Sequence, residues 1–253
     1  MDIRFEGKNI LISGATGHLG IQLAEDYCNS GAHMLLLIDS PDREKQLKEM
    51  EKRFEGRVAT KTYTADFRKL EDISRAVEDI NGEGIMVDIL VNNAGLNILR
   101  KTNEMDEEVW DMVLDVNLKG SFFLTKLIGQ ASLINRRGNV VFISSQHGVV
   151  GNIMRTAYCS SKTGIIGLVR ALTADWSVFD VRINAVSPTY IMHKDNEEYL
   201  MSPREKRNML NKIPLHRYAS LNDVSNAVLF ISSDRASMIT GHNLVVDGGY
   251  TCL

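Results

Sequence analysis

The chain has 253 residues, 44% hydrophobic and 24% charged, with a formal net charge of −3. That length can bury one substantial α/β core without disulfides or a structural metal, and the near-neutral balance without a basic patch excludes nucleic acid as an expected partner. Three cysteines, Cys28, Cys159 and Cys252, form no CxxC pair and suit a reducing compartment. The N-terminal run is too short and too acidic for a signal peptide, and no stretch approaches the ~20 apolar residues of a membrane span. The expected location is the cytoplasm.

The first expected strand, Asn9–Ser13, runs into Gly14-Ala15-Thr16-Gly17-His18-Leu19-Gly20 and then a helix. Glycines at such a turn let backbone N–H groups approach a pyrophosphate, and the helix N-terminus adds partial positive charge. The glycines alone are weak evidence; the order strand, turn, helix strengthens them. The second strand, His33–Asp39, ends in a carboxylate nineteen residues after Gly20. At that spacing a carboxylate accepts both ribose hydroxyls of an adenosine and repels a 2′-phosphate, which favours NAD over NADP. The competing reading is a turn at Asp39-Ser40-Pro41 that caps a helix. Ser40 and Arg43 keep NADP open as the minority choice.

Further strands are expected at Val58–Tyr63, Val87–Asn92, Asn139–Ser144, Val181–Val186 and Asn243–Asp247. Most are continuous apolar or β-branched runs, as in strands buried on both faces of a parallel sheet. Between them, Trp110, Val113, Leu114 and Asn117 share a helical face, as do Ile165, Leu168, Val169 and Leu172. Ser220 and Asp223 resemble a capping box that opens a helix through Val224, Val228 and Ile231. The alternation predicts a single domain over 1–253, a Rossmann-like α/β fold. It is a doubly wound, parallel seven-stranded sheet with helices on both faces, in three αβα layers. Only Tyr190–Asn211 breaks the rhythm, and residues about 190–212 read as a substrate loop or lid.

Tyr158 and Lys162 lie one helical turn apart on one face. Oxidising a secondary alcohol needs a base for the hydroxyl proton as hydride leaves, and reducing a ketone needs an acid. A phenol titrates near ~10, and bringing it near ~7 takes roughly 4 kcal/mol. One ammonium ~4 Å away supplies about that much at an effective dielectric of ~20. Ser145, at the end of the fifth strand, can hold the substrate oxygen. A Y-x-x-x-K pair by itself is usually just helix surface; it gains meaning from Ser145 and the dinucleotide motifs. The histidines have no spaced partners, so no metal site is expected.

Together these residues resemble the short-chain dehydrogenase/reductase family, over essentially the whole chain. The resemblance rests on Asn92-Asn93-Ala94-Gly95, Asn117 in DVNLKG, Ser145 in ISSQ, Tyr158-Cys159-Ser160-Ser161-Lys162, Asn184-Ala185-Val186-Ser187-Pro188 and Val246-Asp247-Gly248-Gly249. It implies a catalytic set of Asn117, Ser145, Tyr158 and Lys162, with Asn117 bending its helix and holding a proton-relaying water. It implies cofactor contacts from Gly14, Thr16, Gly17, His18, Leu19, Gly20 and Asp39. Asp66, with Phe67, would meet the adenine; Asn92, Asn93, Ala94 and Gly95 would flank its ribose; Pro188 and Ile191 would hold the nicotinamide end. Ser145, His147, Tyr158 and Tyr190 would meet substrate; Arg155, Met192 and His193 would face the same cleft, each also readable as solvated or packed.

The chain departs from the compact branch of that family in its glycine spacing. His18 stands where a glycine is usual, and Thr189 and His193 are unusual after Pro188. The G-x-x-G-x-x-G spacing belongs to a longer branch with an added C-terminal domain, for which there is no room here.

The expected function is NAD(P)(H)-dependent interconversion of a secondary alcohol and a ketone, with Tyr158 as acid/base. Substrates in view are a sugar derivative, a small polyol or hydroxy acid, a steroid-like alcohol, or a 3-oxoacyl thioester; the polar 190–211 segment leans away from the steroid. Two other readings are a nucleotide-sensing or scaffolding protein that has lost chemistry, and a dehydratase or epimerase. By resemblance the partners are a small-molecule substrate and copies of the chain in a homotetramer or homodimer.

Overall fold

Along β1 (Asn9–Ser13) successive side chains enter different cores: Ile10 and Ile12 one, Leu11 the other. The same division runs through β2 (Met34–Asp39), where Leu35 and Leu37 oppose Leu36 and Ile38. It recurs in β4 (Ile89–Asn92) and β5 (Asn139–Ile143). Successive strand residues face opposite sides, so a strand covered on both sides must be apolar throughout. β3 (Ala59–Thr64) is the exception: it is an edge strand and mostly exposed or half-buried. With β6 (Arg182–Pro188) and β7 (Asn243–Val246) the strands form one parallel sheet in the order β3-β2-β1-β4-β5-β6-β7. All seven expected strands are present, their bounds displaced by at most two residues. The structure is a computed structural model and describes residues 3–192 and 203–252.

On one face, α1 (His18–Asn29), α2 (Glu44–Phe54) and α9 (Leu221–Ser232) bury Leu23, Tyr27, Leu47, Phe54, Val224 and Val228. On the other, α3 (Leu70–Gly82), α5 (Ser121–Ile128) and α7 (Thr156–Trp176) bury Ile73, Val77, Leu124, Ile165, Val169 and Leu172. This is the doubly wound, three-layer αβα fold that the alternation implied. The strand order reverses between β1 and β4, and a crevice opens beyond the carboxyl ends of the strands at such a point.

α4 (Glu107–Leu114) and α5 are joined by a π-helical turn, Asp115–Gly120. A second π turn, Gly129–Leu133, leads into the short α6 (Ile134–Arg136). A plain helical period does not show these wider turns. They fit where glycine allows close approach: a Cβ on Gly120 would stand 2.5 Å from the Phe67 carbonyl oxygen, and one on Gly129 would stand 2.1 Å from the Trp176 ring. The first turn carries Asn117, so the bend expected at that residue is a π turn.

Ahead of α9 the capping box is as expected: the Asp223 N–H donates to Ser220 Oγ at 3.1 Å, and the Ser220 N–H to Asp223 Oδ2 at 2.8 Å. The expected loop over 190–212 is partly helical, since α8 occupies Pro203–Leu210. Residues 193–202, with His193 and part of that segment, lie outside the described residues. Ahead of them the chain is tied down: Met192 N–H donates to the Ala219 carbonyl at 3.0 Å, and Ala219 N–H to that of Tyr190 at 3.0 Å. Among the described residues no helix is long and apolar enough to cross a membrane.

Candidate active site

The loop after β1 is built so that only glycine fits at two of its three glycine positions. Gly14 has φ +62, and a Cβ there would lie 2.8 Å from Ala94 Cα; a Cβ on Gly20 would lie 2.3 Å from the Gly14 carbonyl oxygen. Gly17 is different, because a Cβ there would meet only an ordinary contact at 3.4 Å. It is the N-cap of α1, with no side-chain cap. The first N–H groups of α1 thus face a cavity of about 860 Å³ at the β1–β4 crevice. Gly14, Thr16, Gly17, His18, Leu19, Asp39, Asp66, Phe67, Asn93, Ala94 and Gly95 line that cavity. A tight turn, an uncapped helix start and an elongated cleft suit a dinucleotide, so the residues present fit a nicotinamide cofactor.

Asp39 ends β2 at the cavity edge, half-buried. Its Oδ2 accepts from the Thr16 N–H at 2.8 Å and the Thr16 hydroxyl at 2.7 Å, and its Oδ1 from the Ser40 N–H at 2.8 Å. These bonds fix the carboxylate, fill the acceptor sites of Oδ2 and leave one on Oδ1. The nearby cations are matched by other carboxylates. Arg68 grips Asp66 at 2.6 and 2.8 Å and holds that carboxyl below its ordinary range, and Arg43 lies 3.6 Å from Asp42. Arg68, absent from the sequence reading, lies only two residues past Asp66, but no spacing rule marks it.

Asn92 departs from expectation. Its amide is buried and donates to Thr125 Oγ1 at 2.8 Å, so it faces the core and lines neither cavity. Asn93 takes the crevice position, donating to the carbonyls of Ser13 and Gly14 at 3.1 and 2.9 Å. The reason is the period of a strand: neighbouring residues point to opposite sides.

A second cavity, of about 440 Å³, adjoins the first and shares His18, Leu19, Asn93, Gly95 and Leu96 with it. Ser145, His147, Tyr158, Lys162, Pro188, Tyr190 and Ile191 line it. The tertiary structure therefore brings the expected Ser, Tyr and Lys together at the inner end of the dinucleotide cleft. Lys162 is 4% exposed, and its ammonium donates to the Ile143 carbonyl at 2.7 Å. It stands 5.7 Å from the centre of the Tyr158 ring. The Ser144 hydroxyl donates to the Lys162 carbonyl at 2.9 Å and pins α7 to β5. Ser145 Oγ accepts from the His147 N–H at 3.1 Å and bonds the Tyr158 phenol.

The electrostatics correct the sequence estimate. One ammonium was expected to draw the phenol down. Instead burial dominates and raises Tyr158, against the bond from Ser145 and the charge of Arg155. Burial also lowers Lys162 to about 8. The lysine ammonium is held by the Ile143 carbonyl.

Asn117 is buried and fully engaged: its Oδ1 accepts from the Leu96 N–H at 2.8 Å, and its Nδ2 donates to the Leu96 carbonyl at 2.9 Å and Ser161 Oγ at 3.0 Å. Its side chain locks the loop after β4 onto α7. Gly95 sits between Asn117 and Lys162, where a Cβ would lie 3.3 and 3.4 Å from their polar ends.

Sequence reasoning missed part of the substrate-side wall. His147, 3% exposed, places Nε2 3.2 Å from the Tyr190 hydroxyl and 3.3 Å from Asn152 Nδ2, while Asn152 donates to that hydroxyl at 3.0 Å. The Tyr250 ring packs edge-on against both His147 and Tyr190. Gln146 lines the cavity as well. Nothing local marks Asn152 or Tyr250, because they meet His147 only after folding.

The chain matches a family model described as "Enoyl-(Acyl carrier protein) reductase" over residues 14–251. It is 32% identical over 250 residues to an NAD-dependent glycerol dehydrogenase of Listeria innocua, covering 99% of this chain and 96% of the relative. It is 33% identical over 247 residues to a 3-oxoacyl-[acyl-carrier-protein] reductase of Rickettsia felis, covering 98% of each. Among solved structures it is similar, with TM-score 0.91, 29% identity and full coverage of both chains, to a Beutenbergia cavernae protein provisionally assigned as an NAD(P)-dependent gluconate 5-dehydrogenase and solved with NADP at low occupancy.

Burial, and then the charge of Arg155, lowers His147 from its ordinary 6.5 to about 4. The unfolded chain therefore binds a proton there that the folded chain refuses between pH 6.5 and 4. Stability from this residue is present above pH 6.5 and is lost as pH falls through that window, with a slope of at most about 1.4 kcal/mol per pH unit. Urea unfolding between pH 7 and 4 is expected to show a shallower decline in His147→Gln than in the wild type. Parallel curves would show that His147 carries no such term.

Proposed function

Because the chain belongs to the short-chain dehydrogenase/reductase family and is an oxidoreductase of the alcohol/ketone type that uses a nicotinamide cofactor, we propose that it oxidises a secondary hydroxyl of a small polyol or hydroxy acid with NAD. The observation that supports this most is the continuity of the two cavities, which share His18, Leu19, Asn93, Gly95 and Leu96. Ser145, Tyr158 and Lys162 line the inner one. A single domain with residues about 190–212 as its substrate segment, in the cytoplasm, completes the reading.

The proposed roles follow the geometry. Ser145 Oγ holds the substrate oxygen, and Tyr158 takes the hydroxyl proton or returns it. Lys162 and the Ile143 carbonyl fix a positive charge beneath the phenol. Asn117 and Gly95 keep that lysine in place. The α1 N-terminus with Gly14, Thr16, Gly17, His18 and Leu19 would hold the pyrophosphate, with Gly20 packed behind the turn rather than in the cleft; Asp39 would hold the adenosine ribose, Asp66 and Phe67 the adenine, and Asn93, Ala94 and Gly95 the wall beside it. Pro188 and Ile191 would support the amide end, and His147 and Tyr190 the substrate. When bound, oxidised nicotinamide supplies the hydride-accepting carbon and a positive charge near the phenol.

A carboxylate fixed at Asp39, with both nearby arginines matched by Asp42 and Asp66, favours an unphosphorylated ribose. His147 and Tyr190 line the inner cavity and supply polar groups that suit a hydroxylated substrate. That all three proposed catalytic side chains are present counts against a sensor that has lost chemistry.

Three outcomes are expected. NAD(H) raises the melting temperature more than NADP(H) at equal concentration; the reverse order removes the Asp39 argument. Tyr158→Phe lowers kcat by at least a hundredfold with polyol substrates while the NADH thermal shift persists; retained turnover removes Tyr158 as acid/base. By analogy with the pairing of helices bearing Asn117 and Tyr158, the chain assembles as a homotetramer or homodimer, and a monomer by light scattering at micromolar concentration refutes that.

A further inference from the structure

Among the described residues that line the inner cavity, Arg155 is a cation with no ion pair. It is the N-cap of α7, three residues before Tyr158, and is half-buried. Its backbone is held: it bridges to Arg100, and its carbonyl accepts from the Cys159 N–H at 2.7 Å. Its guanidinium pairs with no carboxylate among the described residues. Its field nonetheless reaches Tyr158, His147 and Tyr190. Lys162, the other cation of the cavity, is held by the Ile143 carbonyl. A half-buried arginine that lines a cavity and has no carboxylate partner can take an anionic ligand as its counter-ion.

Three residues that line the same cavity, Gln146, His147 and Thr189, each carry a buried side-chain atom with no hydrogen bond. Gln146 is 1% exposed and Thr189 7% exposed, and both Gln146 Oε1 and Thr189 Oγ1 are buried without a hydrogen bond. Buried polar atoms in a native protein are almost always paired. Arg155, by contrast, lines the cavity with its charge unmatched, which suits an anionic group on a ligand.

We infer that Arg155 reads a carboxylate on the substrate, so that the preferred substrate is a polyhydroxy acid rather than the corresponding neutral polyol. A planar guanidinium bonds a carboxylate through two parallel N–H···O contacts, which fixes orientation as well as adding affinity. With the acid end held at the start of α7, a hydroxyl further along the molecule reaches Ser145 and Tyr158. The positive end of the α7 dipole works in the same direction.

This rests on the polyol-or-hydroxy-acid reading above, so binding and turnover are measured separately. The probes are matched pairs differing only in an acid or hydroxymethyl terminus: glycerate and glycerol, threonate and threitol, gluconate and sorbitol. Each is titrated by calorimetry into the NADH complex of the wild type, Arg155→Met and Arg155→Lys. The acid of at least one pair is expected to bind the wild type about tenfold more tightly or better. Arg155→Met brings that ratio near one, and Arg155→Lys keeps part of it because charge survives while the planar fork is lost. Raising the salt concentration weakens the acid and leaves the polyol unchanged, a readout that needs no variant.

No preference for any acid in the wild type, or a preference that survives Arg155→Met, overturns the inference. Absence of NADH formation from NAD with every probe would instead count against the substrate reading, while the binding ratios still decide the role of Arg155.

Discussion

The ammonium of Lys162 lies 2.7 Å from the carbonyl oxygen of Ile143, beneath the floor of the inner cavity. A buried charge is tolerable only where something polar meets it, and here the partner is the last residue of a central strand. Much of the neighbourhood follows from holding that contact. Ser144 anchors the lysine's own carbonyl, Gly95 leaves room above the ammonium, and Asn117 ties the loop after β4 to α7. Asn117 can do so because a π turn re-aims its side chain, and that turn can pack closely because residue 120 has no Cβ to strike Phe67. The outer cavity at Phe67 and the inner cavity at Lys162 are thus linked through the packing of Gly120 on Phe67.

The same contact limits what the lysine can do. Its charge is shared with a carbonyl and weakened by burial, while burial also holds the Tyr158 phenol high. An ammonium placed 4 Å from the phenolic oxygen, the simplest reading of a Y-x-x-x-K pair, overstates the help it gives. The bond from Ser145 and the charge of Arg155 both lower the phenol, so the acid/base group is tuned by residues on two elements rather than by one neighbour. Arg155 biases the phenol, and its charge is the feature on which the proposed preference for an acid rests.

The cofactor side is governed by a different constraint, close backbone approach. Gly14 and Gly20 are demanded by sterics, whereas Gly17 leaves the helix start uncapped and open. Seen this way, the unusual spacing with His18 in place of a glycine keeps both sterically required positions. Asp39 does more than end a strand. By accepting twice from Thr16 it braces the glycine loop, so its carboxylate is part of the loop's architecture as well as a marker for ribose.

Local pattern determined the seven strands, the two-faced sheet, the α9 capping box and the pairing of Tyr158 with Lys162, because period, propensity and one-turn spacing act over a few residues. The glycine loop and Asp39 were legible for the same reason. What only the tertiary structure decided depends on contacts between distant segments. The core-facing role of Asn92 against Thr125 is one such case, and the π turn set by Gly120 and Phe67 is another. The wall of His147, Asn152, Tyr190 and Tyr250 is drawn from three loops. The balance of charge on Lys162 and Arg155 belongs here too, since whether a cation is matched is a property of what folding places beside it, and sequence order says nothing about that.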